Sequence, residues 1–253
     1  MKRNRILAIL LVLCCFATLV GCGKTRCSAD GCKSAAVEDD VYGELYCEEH
    51  LADRKAFDIS KKAFEKIQSA YAIASDFSDD VYEAWLMAIF NDDDILESGT
   101  AYMVKNLHID EHNLIDGLLH ATADLTGSDD ITNINEDTYE LISEYSNSFF
   151  KLVKSGLYTF CVRVIVSAYA VNGEAEQAEA ALNEATDLMK ELNEKYADYE
   201  HYPKLKELLT QVSALLDFCN EPEGSFEQVK LTLNDYKNDI RDLTNDLDYI
   251  FAK

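Results

Sequence analysis

After His50 the apolar positions fall at helical spacing and hold it nearly to the end of the chain. Phe57, Phe64 and Tyr71 recur every seven residues, interleaved with Ser60, Ile67 and Ala74. That is the pattern of a coiled-coil-like seam along one helix face. Ser78 then has the side chain of an N-cap, predicting a second helix to about Phe90 with Val81, Trp85 and Ile89 on one face. A shorter helix is predicted around residues 100–107. Asp110 opens another that runs to about Leu125, with Gly127 as its stop. Asp137-x-x-Glu140 has the form of a capping box with Asp in place of Ser or Thr. Behind it Tyr139, Ile142, Tyr145, Phe149 and Leu152 continue the spacing up to Gly156.

Residues 157–171 form the most apolar internal stretch, broken by Arg163 and closed by Asn172-Gly173. Its β-branched content leaves a buried strand open, but helical neighbours on both sides favour a buried central helix. With a charge at its centre it is a poor membrane span. In the last third, Ala178, Leu182, Ala185, Met189, Leu192 and Tyr196 alternate steps of four and three, and Leu205, Leu208, Val212, Leu215 and Cys219 do the same. Ser225-x-x-Gln228 is a capping box, followed by Val229, Leu233, Tyr236, Ile240, Leu243, Leu247 and Ile250 at the same spacing. Proline occurs only at 203 and 222, both near predicted helix starts. The fold class is therefore all-α: an antiparallel helical bundle over residues 51–253, with a three-helix part from about 174.

The first residues follow a different rule. Lys2, Arg3 and Arg5 precede an apolar run over residues 6–20, too short for the roughly 20 residues of a spanning helix and ordered like a secretory signal. The run ends in Leu19-Val20-Gly21-Cys22. This resembles the lipobox of bacterial lipoproteins. The resemblance implies diacylglycerol on the Cys22 thiol, cleavage after Gly21 and a further acyl chain on the new amino terminus. Two or more chains give stable membrane attachment. Residues 1–21 are then a signal peptide and residues 22–26 the lipidated terminus and tether. The expected location is the extracytoplasmic face of the cell membrane.

Charge narrows the partners. The full chain carries 23 Lys+Arg against 47 Asp+Glu, a net −24. Without Lys2, Arg3 and Arg5 the processed chain stands at about −27. Such a charge opposes binding to nucleic acid.

Cysteine arithmetic points to one cluster. Of eight cysteines, Cys14 and Cys15 leave with the signal and Cys22 takes the lipid, so Cys27, Cys32, Cys47, Cys161 and Cys219 remain. An odd number cannot all pair within the chain. Cys27-x4-Cys32 and Cys47-x2-His50 place two donors on each of two local turns. Gly31 lets the first turn tighten, and the three-residue step from Cys47 to His50 points both the same way from a first helical turn. A short β-hairpin around Asp39-Asp40 fits between the pairs. The stretch over residues 27–50 resembles the zinc-knuckle or treble-clef-like fingers that carry a GC…YCxxH pattern, which implies a structural zinc held by Cys27, Cys32, Cys47 and His50. A disulfide is the competing reading in an oxidising compartment. It leaves one local thiol over and gives His50 no role. Cys161 and Cys219, on apolar faces, read as buried thiols or as a pair if their helices touch.

Other chemistry is sparse. His108-x-x-Glu111-His112 fits the pattern of inverted zinc proteases, and His108, His112, Asp116 and His120 would share a face if the stretch were one helix. Asp110 as a cap places His108 outside that helix, so a zinc-dependent hydrolase is the weaker alternative. The acidic runs Asn91-Asp92-Asp93-Asp94 and Ser128-Asp129-Asp130 do not fit an EF-hand and read as loops and caps. A solute-binding lipoprotein of a transporter would need strands that the pattern lacks. The expectation is a lipid-anchored helical protein with no catalytic residues, acting through a protein partner the sequence does not name.

Overall fold

The computed structural model describes residues 25–127 and 136–252, with no side chains at 136–138. The signal, Cys22, the Ser128-Asp129-Asp130 run and the Asp137 side chain lie outside the described residues. Among the described residues there are nine α-helices and no strand. They are α1 (Glu48–Phe90), α2 (Asp92–Ser98), α3 (Thr100–Met103), α4 (Glu111–Thr126) and α5 (Glu136–Leu152). After a 3₁₀ turn at Lys154–Gly156 come α6 (Leu157–Val171), α7 (Glu174–Lys195), α8 (Tyr202–Asn220) and α9 (Phe226–Phe251). The chain divides into two compact units, one ending at Asp58 and the other Ile59–Lys253.

In the first unit the expected hairpin forms no strands. Val37 N donates to the Tyr46 carbonyl at 2.8 Å, and Asp39 and Gly43 exchange backbone bonds of 3.1 and 2.7 Å. Pairing goes no further because the arms are shared with the segment before them. Ala36 N donates to Thr25, Cys27 N to Ser34 and Ser28 N to Leu45, and one antiparallel bridge joins Arg26 to Ala35.

The second unit is the predicted helical body. Along α1 and α9, Phe64 meets Phe251, Gln68 bonds Thr244 at 3.0 Å, Asp79 pairs with Lys237 at 2.6 Å and Tyr82 stacks on Phe226. Rising numbers on one helix against falling numbers on the other make the pair antiparallel. Lys204–Asp246 and Phe218–Tyr236 orient α8 and α9 in the same way. Helix α6 is the buried central helix that its apolar run predicts, with Cys161, Val164, Ile165 and Ala168 fully buried. Phe77 and Trp85 of α1 stack on its Tyr169 and Tyr158.

Several expectations in the helical body are corrected. Ser78 does not cap a second helix; α1 is continuous, because residues 48–90 contain no Gly or Pro. The buried Ser78 hydroxyl donates to the Ser75 carbonyl at 2.7 Å, satisfied within the helix. Ile89, expected on the buried face, is exposed. Second, of the run read as loops and caps, Asn91 does stand at the N-cap position, but Asp92, Asp93 and Asp94 form the first turn of α2, where their charge suits the helix dipole and Ile95 and Leu96 anchor the other side. Third, α5 turns a different face inward. Tyr145 and Leu152 are exposed while Ser146 and Phe150 are buried. The Ser146 hydroxyl accepts Thr100 N at 3.0 Å, lies 3.1 Å from Thr100 Oγ1 and donates to Ser143, while Phe150 packs on Phe160, so a polar and an apolar contact together hold this face inward. The helix predicted for 100–107 ends at Met103. The Asp110 cap, the Gly127 stop in the left-handed region (φ 66°) and the Ser225–Gln228 box form as expected.

Candidate metal centre

Two local turns carry the four donors. Cys27 is fixed by its backbone bond to Ser34, 3.0 Å, and Cys32 by a 3.0 Å bond from its N–H to Ala29 across Gly31, whose φ of 77° favours glycine. Cys47 stands immediately before α1, its carbonyl accepting Leu51 N at 2.8 Å, and His50 follows in the first helical turn. The closure is braced by Asp39, which accepts Val41 N at 3.0 Å and Tyr42 N at 3.2 Å and pairs with Lys55. That lysine bond is the main cause holding the Asp39 carboxyl below its ordinary value. Tyr42 in turn donates to Asp58.

The donor atoms converge. Cys32 Sγ lies 3.8 Å from Cys47 Sγ, and His50 Nδ1 lies 3.1 Å from Cys47 Sγ and 3.7 Å from Cys27 Sγ. All four atoms lie within 4.8 Å of one another. A tetrahedral ion with metal–sulfur bonds near 2.3 Å and metal–nitrogen bonds near 2.05 Å requires sulfur–sulfur edges of about 3.75 Å and sulfur–nitrogen edges of about 3.55 Å. The observed sulfur–sulfur separation lies close to its edge, and the two sulfur–nitrogen separations fall either side of theirs. Cys27 and Cys47 are buried, with Cys32 and His50 half-buried. Burial pushes the Cys27 thiol up, but backbone hydrogen bonds at Cys47 and Ala29 and the neighbouring thiols outweigh it, lowering its pKa to about 7. A thiol so disposed gives up its proton readily to a metal.

The cysteines here are free. A disulfide would need Cys32 and Cys47 sulfurs at about 2.05 Å. Cys161 and Cys219 are also free and fully buried, and burial raises both thiols to about 12. They pack as small apolar side chains.

Of the residues of the hydrolase alternative, His108 turns away to Asp80, while Glu111 and His112 line one cavity against α5. His108 precedes α4; its backbone N–H bonds Asp80 Oδ1 at 2.8 Å and its Nδ1 lies 2.9 Å from the same oxygen. His112 stacks on Tyr139 with ring centres 3.8 Å apart, and Glu111 accepts from Ser143 Oγ at 2.5 Å. Asp116 accepts from Tyr139. Among the described residues, the Cys27, Cys32, Cys47 and His50 group is the one close enough to hold a metal.

Asp80 went unread in the sequence. It is fully buried on α1 and also accepts Ile109 N at 3.2 Å and the Tyr169 hydroxyl at 3.1 Å, tying three segments together. Its place among Phe77, Val81 and Ala84 on the apolar face was the available signal. The chain matches no family model, and neither a curated protein nor a solved structure was found to be similar to it.

Proposed function

We propose that this chain is a lipid-anchored extracytoplasmic protein whose helical body serves binding or scaffolding at the cell surface, with a structural zinc in the Cys27, Cys32, Cys47 and His50 cluster. The observation that carries the metal reading is the 3.8 Å sulfur–sulfur edge beside two sulfur–nitrogen edges, the spacing of a closed tetrahedral set. Four protein donors leave no position for a reacting water, so the ion is a clip and not a catalyst. The anchor reading is supported by Lys2, Arg3 and Arg5, the apolar run and Gly21-Cys22. No helix among the described residues is long and apolar enough to cross a membrane.

Two measurements test this. Residues 23–253, purified anaerobically without added metal, should contain about one zinc per chain, and Cys32→Ser should lose it. Two thiols missing among Cys27, Cys32 and Cys47, with no zinc, would replace the clip with a disulfide. Zinc retained in Cys32→Ser would move the search to His108 and His112 and reopen the hydrolase reading. For the anchor, full-length protein grown with a labelled fatty acid should carry the label, and Cys22→Ser should not.

A further inference from the structure

The charge of the chain is unevenly spread. Residues 145–173 contain no Asp or Glu, although the chain holds 47, and they include Lys151, Lys154 and Arg163. This acid-free stretch covers the end of α5, the 3₁₀ turn and α6, and it forms one side of a groove of about 430 Å³. That volume falls within the range of small-molecule sites, roughly 300–1,000 Å³. Its walls are the side chains of Leu125, Leu152, Val153 and Phe160, with Thr159 and Arg163 at the polar side. Leu125 and Leu152 are 52% and 85% exposed, a cost that an uncovered leucine pays in water.

The Arg163 guanidinium has no hydrogen-bond or ion-pair partner among the described residues, in a chain where acids outnumber bases two to one. A guanidinium presents a planar fork that matches a carboxylate with two parallel bonds. Together these features fit one kind of molecule: an apolar chain ending in a single anionic group. Within residues 145–173, which form most of the groove wall, no carboxylate repels that anion; the acid nearest a lining residue in sequence is Asp124, beside Leu125.

We infer that the groove between Leu125 and the segment Leu152–Arg163 binds a single-chain amphiphilic carboxylate of the fatty-acid class, its head on Arg163 and its chain along Leu125, Leu152 and Phe160. The site lies within the Ile59–Lys253 unit and does not depend on the metal cluster or the lipid anchor. Calorimetric titration of residues 23–253 with dodecanoate below its micelle concentration should give saturable 1:1 binding. Acetate, which lacks the chain, should show none. Arg163→Gln should weaken dodecanoate about ten-fold or more, the loss of a charge-assisted pair, and leave 1-dodecanol unchanged. Leu152→Asp, at an exposed position that tolerates the change, should weaken both. Lys204→Gln, a distant cation, should alter neither. Dodecanoate that fails to saturate, or that binds Arg163→Gln as tightly as the original, would overturn the inference. So would affinity seen only for phosphatidylglycerol vesicles, which would make the patch a membrane-contact surface instead.

Discussion

At Gly117 the backbone of α4 lies directly on α6. A Cβ there would meet the Val164 carbonyl oxygen and would fall 2.6 Å from Ala168 Cβ and 2.8 Å from its backbone nitrogen. These neighbours are backbone and a buried methyl and cannot swing away. Alanine improves helix propensity by about 1 kcal/mol, and overpacking costs about 1–3 kcal/mol, so Gly117→Ala should be net destabilising. Urea unfolding checks this; an unchanged midpoint would mean that the helices can separate without loss. At His108 the decisive quantity is pH. The hydrogen bond to Asp80 raises the imidazole above its usual 6.5, with Asp76 and Asp79 adding to it and burial opposing. The Asp80 carboxyl is itself pushed up by burial, against donors from His108 and Tyr169. A raised histidine contributes stability that is fully present below 6.5 and lost as pH rises through its folded value. The difference in urea midpoint between His108→Gln and the original should therefore be larger at pH 5.5 than at pH 8.5. Equal differences would show that the protonated ring adds nothing beyond its neutral hydrogen bonds.

At the level of elements, the cap of α9 is the cleanest test. The Ser225 hydroxyl accepts Gln228 N at 3.4 Å while the Gln228 side chain accepts Ser225 N at 2.8 Å. Ser225→Ala should cost about 1 kcal/mol, read from the same urea transition. Helices α7, α8 and α9 were legible because each carries a single unbroken apolar stripe, and Leu182, Leu208 and Ile240 bury as that stripe requires. Ser78 misled because a serine that caps and a serine that back-bonds within a helix look alike in sequence. The rotation of α5 was unreadable for another reason: Ser146 is buried through Thr100, a residue far away in the chain, and no local periodicity encodes that. The Cys27, Cys32, Cys47 and His50 cluster was legible down to its four residues because its donors lie in two close pairs. Asp80 hid in a run of acids, where burial depended on His108 and Tyr169 arriving from elsewhere. The two buried thiols also give a test: a thiol reagent should modify Cys161 and Cys219 only as α6 and α8 unfold, and fast reaction of either in native protein would contradict their burial.

Over the whole molecule, the four proposed zinc ligands fall within residues 27–50, inside the unit that ends at Asp58, and α2 to α9 contribute none. Apart from a metal, the ligand-bearing stretch is held by a few backbone bonds and by the Asp39–Lys55 and Tyr42–Asp58 contacts. Among the described residues it contains no strand and one isolated bridge, and its apolar Val41 and Leu45 are exposed, so it lacks a core of its own. Small domains of this kind take their folding free energy from the metal. The Ile59–Lys253 unit instead buries Phe77, Ile67, Leu114, Ile165 and Leu208 completely and has the apolar core of a self-sufficient domain. If the cluster holds zinc as proposed, chelation should therefore expose Cys27, Cys32 and Cys47 to thiol reagents while most of the 222-nm circular dichroism and the thermal transition of the helices persist. Chelation should also proceed faster at pH 5.5 than at pH 7.5, because protons compete with the metal for thiolate and imidazole. If the helices instead melt together with metal loss, the clip is part of one cooperative fold, and α1, which runs unbroken through Asp58, is the element that carries the coupling.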